Sequence, residues 1–332
     1  MKKVAINGMG RTGRQLLRSV FAGNAPNVDV VAINDVAAPD DIAYLIKYDS
    51  VHGRLGAPVR LDGNRLYIGD RSVQLLRESK PRSLPWRELG VEIVIEGTGQ
   101  FTDRAGAAAH LDAGARRVLI TAPSPDADVT LVLGVNDRAF DPQKHFIVSN
   151  ASCTTNSLAP PLKVLLDNFG IAAVTATTVH AYTASQAVVD KPAKKKHRGR
   201  AAALSIIPTT TGADAATVQV LPQLANRIRA AAIRVPVPDG SVTDITAMLG
   251  QEVTREAVNA ALRDAANGSM KGILGYTDEE IVSADILGET LSGIVHANAT
   301  AVVGRLARIL VWYDNEVGYG CRCLDAVALP GF

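Results

Sequence analysis

The sequence predicts an α/β fold, in which a doubly wound parallel sheet is followed by an α+β domain with a mostly antiparallel sheet. In the first half, short and nearly continuous apolar runs such as 28–33 alternate with helical patterns. Strands buried on both faces have this composition, and the alternation of strand and helix is typical of a parallel sheet. In the second half, longer β-rich runs such as 172–178 are mixed with helices. The change of pattern near residue 150 predicts domains at 1–150 and 151–314.

Each predicted element has a signal of its own. The glycine-rich stretch 8–13 separates the first strand from the first helix, and Gly114 ends an alanine-rich helical run. One late helix, 253–266, has an amphipathic pattern. The predicted strands are 2–7, 28–33, 91–95, 118–120, 172–178, 230–235, 242–249 and 308–313. The predicted helices are 15–22, 40–48, 104–113, 157–168 and 253–266, and a polar, basic loop is predicted at 181–199.

Composition and charge are those of an ordinary globular protein. Of the 332 residues, 47% are hydrophobic and 20% are charged, and the formal net charge of +2 is too small to favour nucleic acid or a membrane surface. No apolar run approaches the ~18 residues that span a bilayer, and the first residues lack a signal-peptide core. The three cysteines, Cys153, Cys321 and Cys323, form neither a disulfide framework nor a metal site. We therefore expect a cytoplasmic protein without a metal, a membrane partner or a nucleic-acid partner.

The segment 8–13 reads GMGRTG and fits the pattern G-x-G-x-x-G between a predicted strand and a predicted helix. In this pattern Gly8 permits the tight turn, Gly10 lets the backbone approach a pyrophosphate, and Gly13 lets helix and strand pack closely. The start of the helix then offers N–H groups and partial positive charge to the phosphates. The context favours a dinucleotide-binding Rossmann domain over a purely structural glycine turn.

Asp35 follows the second predicted strand, about 20 residues after the glycine pattern. A carboxylate at this place accepts hydrogen bonds from the adenosine ribose. It would also repel the 2′-phosphate of NADP, so we expect the cofactor to be NAD. A measured preference for NADP would overturn this expectation.

The polar segment 149–156, SNASCTTN, places Cys153 where a helix begins. The helix dipole and local N–H groups stabilise a thiolate at such a position. His180 lies 27 residues later at the end of a β-rich run, and an imidazole beside the thiol would form a thiolate–imidazolium pair and act as acid or base. Taken singly, each residue also fits a packing role, but the polar surroundings of Cys153 argue against simple core packing.

Several motifs occur together along the chain: VAINGMGRTGR, KYDSVHGR, SNASCTTN, TTVHAYT, RAAALSIIPTTTG, RVP and WYDNE. In this order and spacing the sequence resembles the glyceraldehyde-3-phosphate dehydrogenases from residue 2 to about residue 325. The resemblance implies a Rossmann domain, a catalytic α+β domain and a homotetramer. It also implies that the segment 315–332 packs back on the first domain.

The resemblance implies a mechanism and a set of site residues. The thiolate of Cys153 would attack the aldehyde, His180 would take the proton as hydride passes to NAD, and inorganic phosphate would cleave the thioester to an acyl phosphate. For cofactor binding it implies Gly8, Gly10, Arg11, Thr12, Gly13, Asp35, Thr121, Asn315 and Tyr319. For the sugar phosphate and inorganic phosphate it implies Ser152, Thr154, Thr183, Arg198, Thr211, Gly212 and Arg234.

The chain departs from the family pattern at two places near the catalytic residues. Ala184 stands where the family usually has Asn, which removes a polar neighbour of the nicotinamide. Ser185 stands where the family usually has Asp, which changes the wall of the substrate-phosphate pocket. The loop 191–200, KPAKKKHRGR, is unusually basic. It is either a solvated charged loop or a surface that attracts an anionic ligand or the adenosine end of a cofactor in a neighbouring subunit. These departures concern the choice of substrate and leave the predicted type of reaction unchanged.

Three alternatives to glyceraldehyde 3-phosphate oxidation remain. Erythrose 4-phosphate is one alternative substrate, because the stretch 83–90, SLPWRELG, resembles that subgroup, although HAYT does not. A divergent paralogue with an altered substrate or inhibitor sensitivity is another. A non-enzymatic role in binding nucleic acid at the basic loop is secondary, because the Cys–His pair is intact and the net charge is small.

Overall fold

The computed structural model describes all 332 residues, which form two compact units. The first unit consists of Met1–Leu131, Asp137–Ala151 and Gly320–Phe332. The second consists of Val132–Asn136 and Ser152–Tyr319.

The first unit contains a nine-stranded sheet in the order β10-β11-β9-β8-β1-β2-β7-β6-β5. Its strands, with the separate pair β3 and β4, are β1 Lys2–Asn7, β2 Val28–Asn34, β3 Tyr48–Asp49, β4 Gly53–Arg54, β5 Val59–Asp62, β6 Arg65–Ile68, β7 Arg71–Leu76, β8 Ile93–Glu96, β9 Arg117–Ile120, β10 Val129–Thr130 and β11 Ile147–Ser149. Its helices are α1 Arg11–Phe21, α2 Pro39–Lys47 and α3 Arg104–Asp112. Strand β1 pairs in parallel with β2 on one side and with β8 on the other, so the strand order reverses there. This arrangement confirms the doubly wound parallel sheet.

One edge of this sheet is an antiparallel meander that the sequence analysis missed. Strands β5, β6 and β7 pair antiparallel with one another, and β7 joins the parallel part through β2. These strands alternate apolar residues with exposed charged ones such as Arg60, Asp62 and Arg65. A sheet edge that faces water carries this mixed composition, which lacks the continuous apolar run used to identify the buried strands.

The core of the first unit is built from the continuous apolar strands. Val4, Ala5 and Ile6 on β1 are fully buried, and Trp86 is the largest side chain without solvent exposure. Of the predicted C-terminal segment 315–332, Gly320–Phe332 belongs to this unit, whereas residues 315–319 belong to the second unit. The Lys2 ammonium group donates hydrogen bonds to the carbonyl oxygens of Val327 and Leu329. Helix α7, Val317–Ala328, supplies this segment from Gly320 onward.

The second unit contains an eight-stranded, mostly antiparallel sheet, in which β18 pairs with β19 beside the main order β13-β14-β12-β15-β19-β17-β16. Its strands are β12 Ile171–Ala181, β13 Ile207–Thr209, β14 Ile228–Val235, β15 Ser241–Leu249, β16 Leu274–Thr277, β17 Gly293–His296, β18 Ala301–Val303 and β19 Leu306–Tyr313. Its other helices are α4 Cys153–Phe169, α5 Ala213–Val220 and α6 Arg255–Asn267. The long strand β12 lies in the middle, parallel to β14 and antiparallel to β15. The predicted α+β fold of this half is confirmed.

Two helices begin four residues earlier than the sequence pattern predicted. Helix α1 begins at Arg11, directly after Gly10, and α4 begins at Cys153, directly after Ser152. The first turn of each helix carries mainly glycine and polar residues. The apolar residues that repeat every three to four positions begin only one turn later, and the prediction was based on them. For α4 the signal is the N-cap: the Ser152 hydroxyl accepts a hydrogen bond from the Thr155 N–H.

None of the helices combines the length and the apolar character needed to cross a membrane.

Candidate active site

A cleft of about 240 Å³ opens in the first unit where parallel strands end. Asn7 and Asn34, the last residues of β1 and β2, lie in its wall, and Gly97 directly follows β8. Ligands of doubly wound sheets bind at this kind of place, beyond the carboxyl ends of the strands where the strand order reverses. The remaining lining residues are Gly8, Gly10, Asp35, Val36, Glu78, Ser79, Thr98, Gln100 and Phe101.

The three glycines of the first loop have distinct surroundings. Gly8 has φ +95°, and a Cβ there would meet the backbone N of Thr98 at 2.7 Å. A Cβ on Gly13 would lie 1.9 Å from the carbonyl oxygen of Gly8. Beside Gly10 there is open space within 4 Å, and no side chain caps the helix that follows. This uncapped N-terminus beside open space fits the diphosphate of a dinucleotide.

Asp35 lies in the same cleft with its carboxylate fixed by backbone groups. Its Oδ2 accepts a hydrogen bond from the Met9 N–H at 2.7 Å, and its Oδ1 accepts one from the Ala37 N–H at 2.9 Å. Each carboxylate oxygen has a further lone pair, so the group keeps the capacity to accept hydroxyl donors.

The other cofactor residues of this unit are less directly placed. The Arg11 guanidinium forms a salt bridge with Asp49 at 2.5 Å, and its backbone begins helix α1. Thr12 occupies the next position of the same first turn and is half-buried. Thr121 follows β9, and its hydroxyl donates to the Glu96 carbonyl oxygen at 3.1 Å. Thr121 does not line the cleft.

Cys153 and His180 meet in the second unit. Cys153 is the first residue of α4, and His180 is the penultimate residue of β12. The Sγ of Cys153 lies 3.5 Å from Nε2 of His180. The sequence separates these residues by 27 positions, and the start of a helix and the end of a strand bring them together. This is the geometry of a nucleophile beside an acid–base group.

Arg234 contacts the other side of the imidazole. Its position follows from the parallel register of β12 and β14, in which His180 is the partner of Arg234. The Nη1 of Arg234 lies 2.5 Å from Nδ1 of His180 and donates to the Ala181 carbonyl oxygen at 2.8 Å. Nδ1 of His180 also lies 2.7 Å from that carbonyl oxygen.

The electrostatics of the pair favour two neutral groups. Burial raises the pKa of the Cys153 thiol above its ordinary value. Burial, and then the positive charge of Arg234, lower the pKa of His180 to about 3. Both shifts oppose the thiolate–imidazolium pair, which the N–H groups at the helix start favour, so the pair stays a prediction.

Arg198 and Arg234 are the two guanidinium groups among the predicted phosphate residues of the second unit. Arg198 Nε donates to Thr209 at 3.1 Å and Nη1 to Ser185 at 3.4 Å, and the Ser185 hydroxyl is 2.8 Å from the Thr183 hydroxyl. Neither guanidinium has a carboxylate partner, and the buried Nε of Arg234 has no hydrogen-bond acceptor. Two uncompensated guanidinium groups fit an anionic ligand.

The other residues predicted to bind phosphate differ in whether their polar groups already have a hydrogen-bond partner within the protein. Gly212 precedes α5 with no side-chain cap and with open space beside its Cα, while Thr211 accepts a hydrogen bond from the Ala213 N–H. Ser152 uses its hydroxyl as the N-cap of α4. Thr154 is buried, and its hydroxyl contacts the Tyr313 hydroxyl at 3.0 Å. The structure therefore places the Thr154 side chain in the packing of α4 against β19.

Sequence reasoning missed two residues that organise this unit. The Tyr313 hydroxyl lies 2.7 Å from the Thr178 hydroxyl, and its ring packs edge-on against His180. Burial raises the pKa of Tyr313, so the phenol stays protonated. Ser241 donates to the Asn315 side-chain oxygen at 2.6 Å, which fixes Asn315 just after β19. Tyr313 and Val311 are two positions apart on β19 and therefore lie on the same, buried face of the sheet. This spacing is the one sequence signal that the Tyr313 hydroxyl points inward.

The last residue of the predicted cofactor set, Tyr319, is buried within the second unit. It lies in the first turn of α7, four residues after Asn315.

Comparison with known proteins places the chain in one family. The C-terminal domain of glyceraldehyde 3-phosphate dehydrogenase matches residues 152–315, and the NAD-binding domain of the same family matches residues 2–104. Glyceraldehyde-3-phosphate dehydrogenase of Geobacillus stearothermophilus is 49% identical over 327 residues, which cover 98% of this chain and 97% of that protein. Glyceraldehyde-3-phosphate dehydrogenase 1 of Bacillus subtilis (strain 168) has the same identity and coverage.

A further relative, glyceraldehyde-3-phosphate dehydrogenase of Streptomyces coelicolor, is 48% identical over 331 residues, or 99% of this chain and 98% of that protein. Similarity at this level covers residues of both units. The chain carries an NAD-binding domain and belongs to the glyceraldehyde 3-phosphate dehydrogenase family.

Proposed function

We propose that this chain oxidises glyceraldehyde 3-phosphate with NAD and inorganic phosphate, and releases an acyl phosphate. The observation that carries the proposal is the Cys153–His180 contact of 3.5 Å at the start of α4, beside two guanidinium groups without carboxylate partners. A nucleophile, an acid–base group and anion ligands are the parts that this reaction needs. The relatives named above carry the name of this activity.

In the first half-reaction Cys153 acts as the nucleophile. Its sulfur attacks the aldehyde carbon while Nε2 of His180 takes the thiol proton and passes it to the developing alkoxide, which gives a hemithioacetal. The backbone N–H of Cys153, at the start of a helix, stabilises the negative oxygen. His180 then removes the hydroxyl proton as the C–H bond breaks, and a thioester on Cys153 results.

When NAD is bound, it supplies the acceptor for the hydride that leaves this carbon. Gly8, Gly10 and Gly13 shape the cradle for its diphosphate, together with the first turn of α1 at Arg11 and Thr12. The Asp35 carboxylate accepts the ribose hydroxyls and disfavours NADP. Thr121, Asn315 and Tyr319 complete the proposed set, with Asn315 held by Ser241 as a partner for the nicotinamide amide.

In the second half-reaction an oxygen of inorganic phosphate attacks the thioester carbon. The sulfur leaves and takes the proton from His180, which restores the thiol and the neutral imidazole. Thr183 and Arg234 hold the phosphate of the sugar, while Arg198, Ser152, Thr211 and Gly212 hold the attacking phosphate. Thr154 favours the thiolate of Cys153 through its hydroxyl and backbone N–H, because hydrogen bonds to the charged form lower a pKa.

The test follows NADH formation from glyceraldehyde 3-phosphate with and without inorganic phosphate. With phosphate we expect continuous turnover, and without phosphate a single burst equal to the number of active sites. Cys153→Ser should form no NADH in either condition, whereas the matched control Cys321→Ser, which changes a buried thiol in α7, should behave as the wild type. Phosphate-independent turnover, or wild-type turnover by Cys153→Ser, would contradict the proposal.

The family resemblance also supports proposals on organisation. We assign NAD binding to residues 1–150 with the segment 315–332, and catalysis to residues 151–314. We expect a cytoplasmic homotetramer, for which light scattering on the purified protein should give four times the mass of the chain. A monomeric mass with full activity would contradict the tetramer.

A further inference from the structure

A tight turn at 183–186 brings the hydroxyl of Ser185 back to the hydroxyl of Thr183. The Gln186 N–H donates to the Thr183 carbonyl oxygen at 2.9 Å, and the Thr183 N–H donates to the Gln186 side-chain oxygen at 3.2 Å. Gln186 is buried, so these two hydrogen bonds anchor the turn in the second unit. Within the turn the two hydroxyl oxygens lie 2.8 Å apart. The backbone therefore makes Ser185 a partner of Thr183.

The Ser185 hydroxyl also contacts the guanidinium of Arg198. Nη1 of Arg198 donates to the Ser185 oxygen at 3.4 Å. Nε donates to the Thr209 hydroxyl at 3.1 Å, and Nη2 donates to the Thr210 carbonyl oxygen at 3.5 Å. All three acceptors are neutral oxygen atoms, so none of them compensates the charge of the guanidinium.

The charge of the surrounding segment is strongly positive. Residues 181–212 contain six Lys and Arg residues and a single carboxylate, that of Asp190. Asp190 pairs with Arg200 at 2.8 Å and not with Arg198. The charge of Arg198 is therefore available to an anionic ligand.

The contacts of Ser185 set a direction of hydrogen bonding from Arg198 to Thr183. A guanidinium can only donate, so the Ser185 oxygen accepts and its own hydrogen remains for Thr183. Accepting from a cation polarises the Ser185 hydroxyl and strengthens it as a donor. Thr183 thus receives a hydrogen bond from Ser185, and the hydroxyl hydrogen of Thr183 is left for a ligand.

We propose that Ser185 is a positioning residue for both phosphate ligands. It keeps the Thr183 hydroxyl ready to donate to the phosphate of the sugar, and it leaves the charge of Arg198 available to inorganic phosphate. Charge-assisted hydrogen bonds are about twice as strong as neutral ones, so a phosphate is a better partner for Arg198 than the neutral oxygens are. The inference rests on the proposed function, because it assigns phosphate groups to Thr183 and Arg198.

A carboxylate at position 185 would have the opposite effect, because it can only accept hydrogen bonds. It would take the hydroxyl hydrogen of Thr183 and pair with the guanidinium of Arg198, so both groups would be engaged before a phosphate binds. It would also repel the dianion. A carboxamide, by contrast, can accept from Arg198 and donate to Thr183, as the Ser185 hydroxyl does.

Calorimetry tests this difference on binding alone. The protein saturated with NAD is titrated at about pH 8, where phosphate groups carry two charges, with inorganic phosphate and with sn-glycerol 3-phosphate, a phosphate monoester without an aldehyde. For Ser185→Asp we expect the Kd of each anion to rise about tenfold, the size of one lost charge-assisted hydrogen bond. Ser185→Asn should stay within about threefold of the wild type. Ser185 is exposed, so neither substitution disturbs the core.

Lys194→Gln is the matched control for charge. It lowers the net charge of the segment by the same single unit, but Lys194 is exposed and forms no hydrogen bond with Ser185 or Arg198. We expect its Kd values to change by less than about twofold. A rise equal to that of Ser185→Asp would show that the overall charge of the segment controls binding, and would overturn the inference.

Steady-state kinetics separate phosphate binding from chemistry. Ser185→Asp should raise KM for glyceraldehyde 3-phosphate and for inorganic phosphate about tenfold, while kcat changes less than about threefold. Unchanged Kd values in Ser185→Asp, or an equal rise in Ser185→Asn, overturn the inference. Since calorimetry needs no turnover, an enzyme that forms NADH but shows equal Kd values would lose the inference and keep the function. The expected order of Kd values without NADH formation would overturn the function alone.

Discussion

Each unit buries one histidine, and the two rings differ in how their nitrogens are satisfied. His110 in α3 is 0% exposed, and His180 in β12 is 4% exposed, so burial does not distinguish them. The difference lies in the chemistry of the partners. It separates a histidine that holds structure from one that can change its protonation during a reaction.

The partners of His110 are complementary. Nδ1 accepts a hydrogen bond from the Trp86 indole N–H at 3.0 Å, so the ring proton lies on Nε2, where it donates to the Glu96 carboxylate at 3.0 Å. Glu96 also accepts from the Asn7 side chain and from the Thr98 N–H. The Asn7 side-chain nitrogen also lies 3.4 Å from Nε2, but it donates to Glu96 at 2.6 Å, so the carboxylate accepts from both donors.

The partners of His180 are not complementary. Nδ1 has a donor and an acceptor at hydrogen-bond distance, and Nε2 faces a thiol that can serve as either. The partners of this ring therefore do not fix the position of its proton. Conflicting partners, rather than burial, distinguish the histidine that we propose takes part in chemistry.

The largest expected effect is on catalysis. His180→Gln keeps a polar side chain of similar size but cannot act as acid or base, so kcat/KM for glyceraldehyde 3-phosphate should fall about 10²–10⁴-fold. The thermal midpoint should change little, because Nδ1 of His180 lies near both a donor and an acceptor and cannot form a hydrogen bond with each of them. Steady-state kinetics and calorimetry on the same preparation check both parts. Wild-type kcat/KM in this variant would remove the basis of the comparison.

The next effect is on stability. His110→Phe preserves the ring but leaves the buried Glu96 carboxylate and the Trp86 N–H without this partner, so the free energy of unfolding should fall by about 3 kcal/mol. Urea denaturation measures the loss. The same substitution at the exposed His197 should cost less than about 0.5 kcal/mol. Equal losses at the two positions would show that the network of His110 contributes nothing specific.

The smallest effect concerns pH. The pKa of His180 is about 3 in the folded chain against an ordinary value of 6.5, so between these values the unfolded chain binds the extra proton. The contribution of His180 to stability is complete above pH 6.5 and declines as the pH falls. Between pH 7 and pH 5.5 the wild type should lose about 1 kcal/mol more than His180→Gln. Identical losses in urea denaturation would contradict the low pKa.

Much of the fold and some of the site could be predicted because local sequence carries the signal. The glycine loop and Asp35 follow continuous apolar strands, and the structure places both in one cleft. Cys153 stands in a polar segment before a helix, and His180 stands at the end of a β-rich run. The positions of the glycine loop, Asp35, Cys153 and His180 depend on turns, helix caps and strand ends, and each of these has a recognisable local sequence pattern.

The remaining features depend on pairing between distant segments. The contact of Arg234 with His180 arises from the parallel register of β12 and β14, which brings together residues that are 54 positions apart. The raised pKa of Cys153 and the lowered pKa of His180 come from burial by several elements, whereas the sequence indicates only the helix start. The meander of β5, β6 and β7 was not predicted, because an exposed edge strand has no continuous apolar run.

The proposed mechanism requires Cys153 to carry the substrate as a thioester. To detect it, the wild type is mixed with NAD and glyceraldehyde 3-phosphate in the absence of inorganic phosphate, the mixture is quenched in acid, and the acyl adduct is mapped by mass spectrometry. We expect one acyl group per chain on the peptide that contains Cys153, and its loss when phosphate is added before the quench. An unmodified Cys153 after NADH has formed, or an adduct that phosphate does not discharge, would show that the reaction does not pass through a Cys153 thioester.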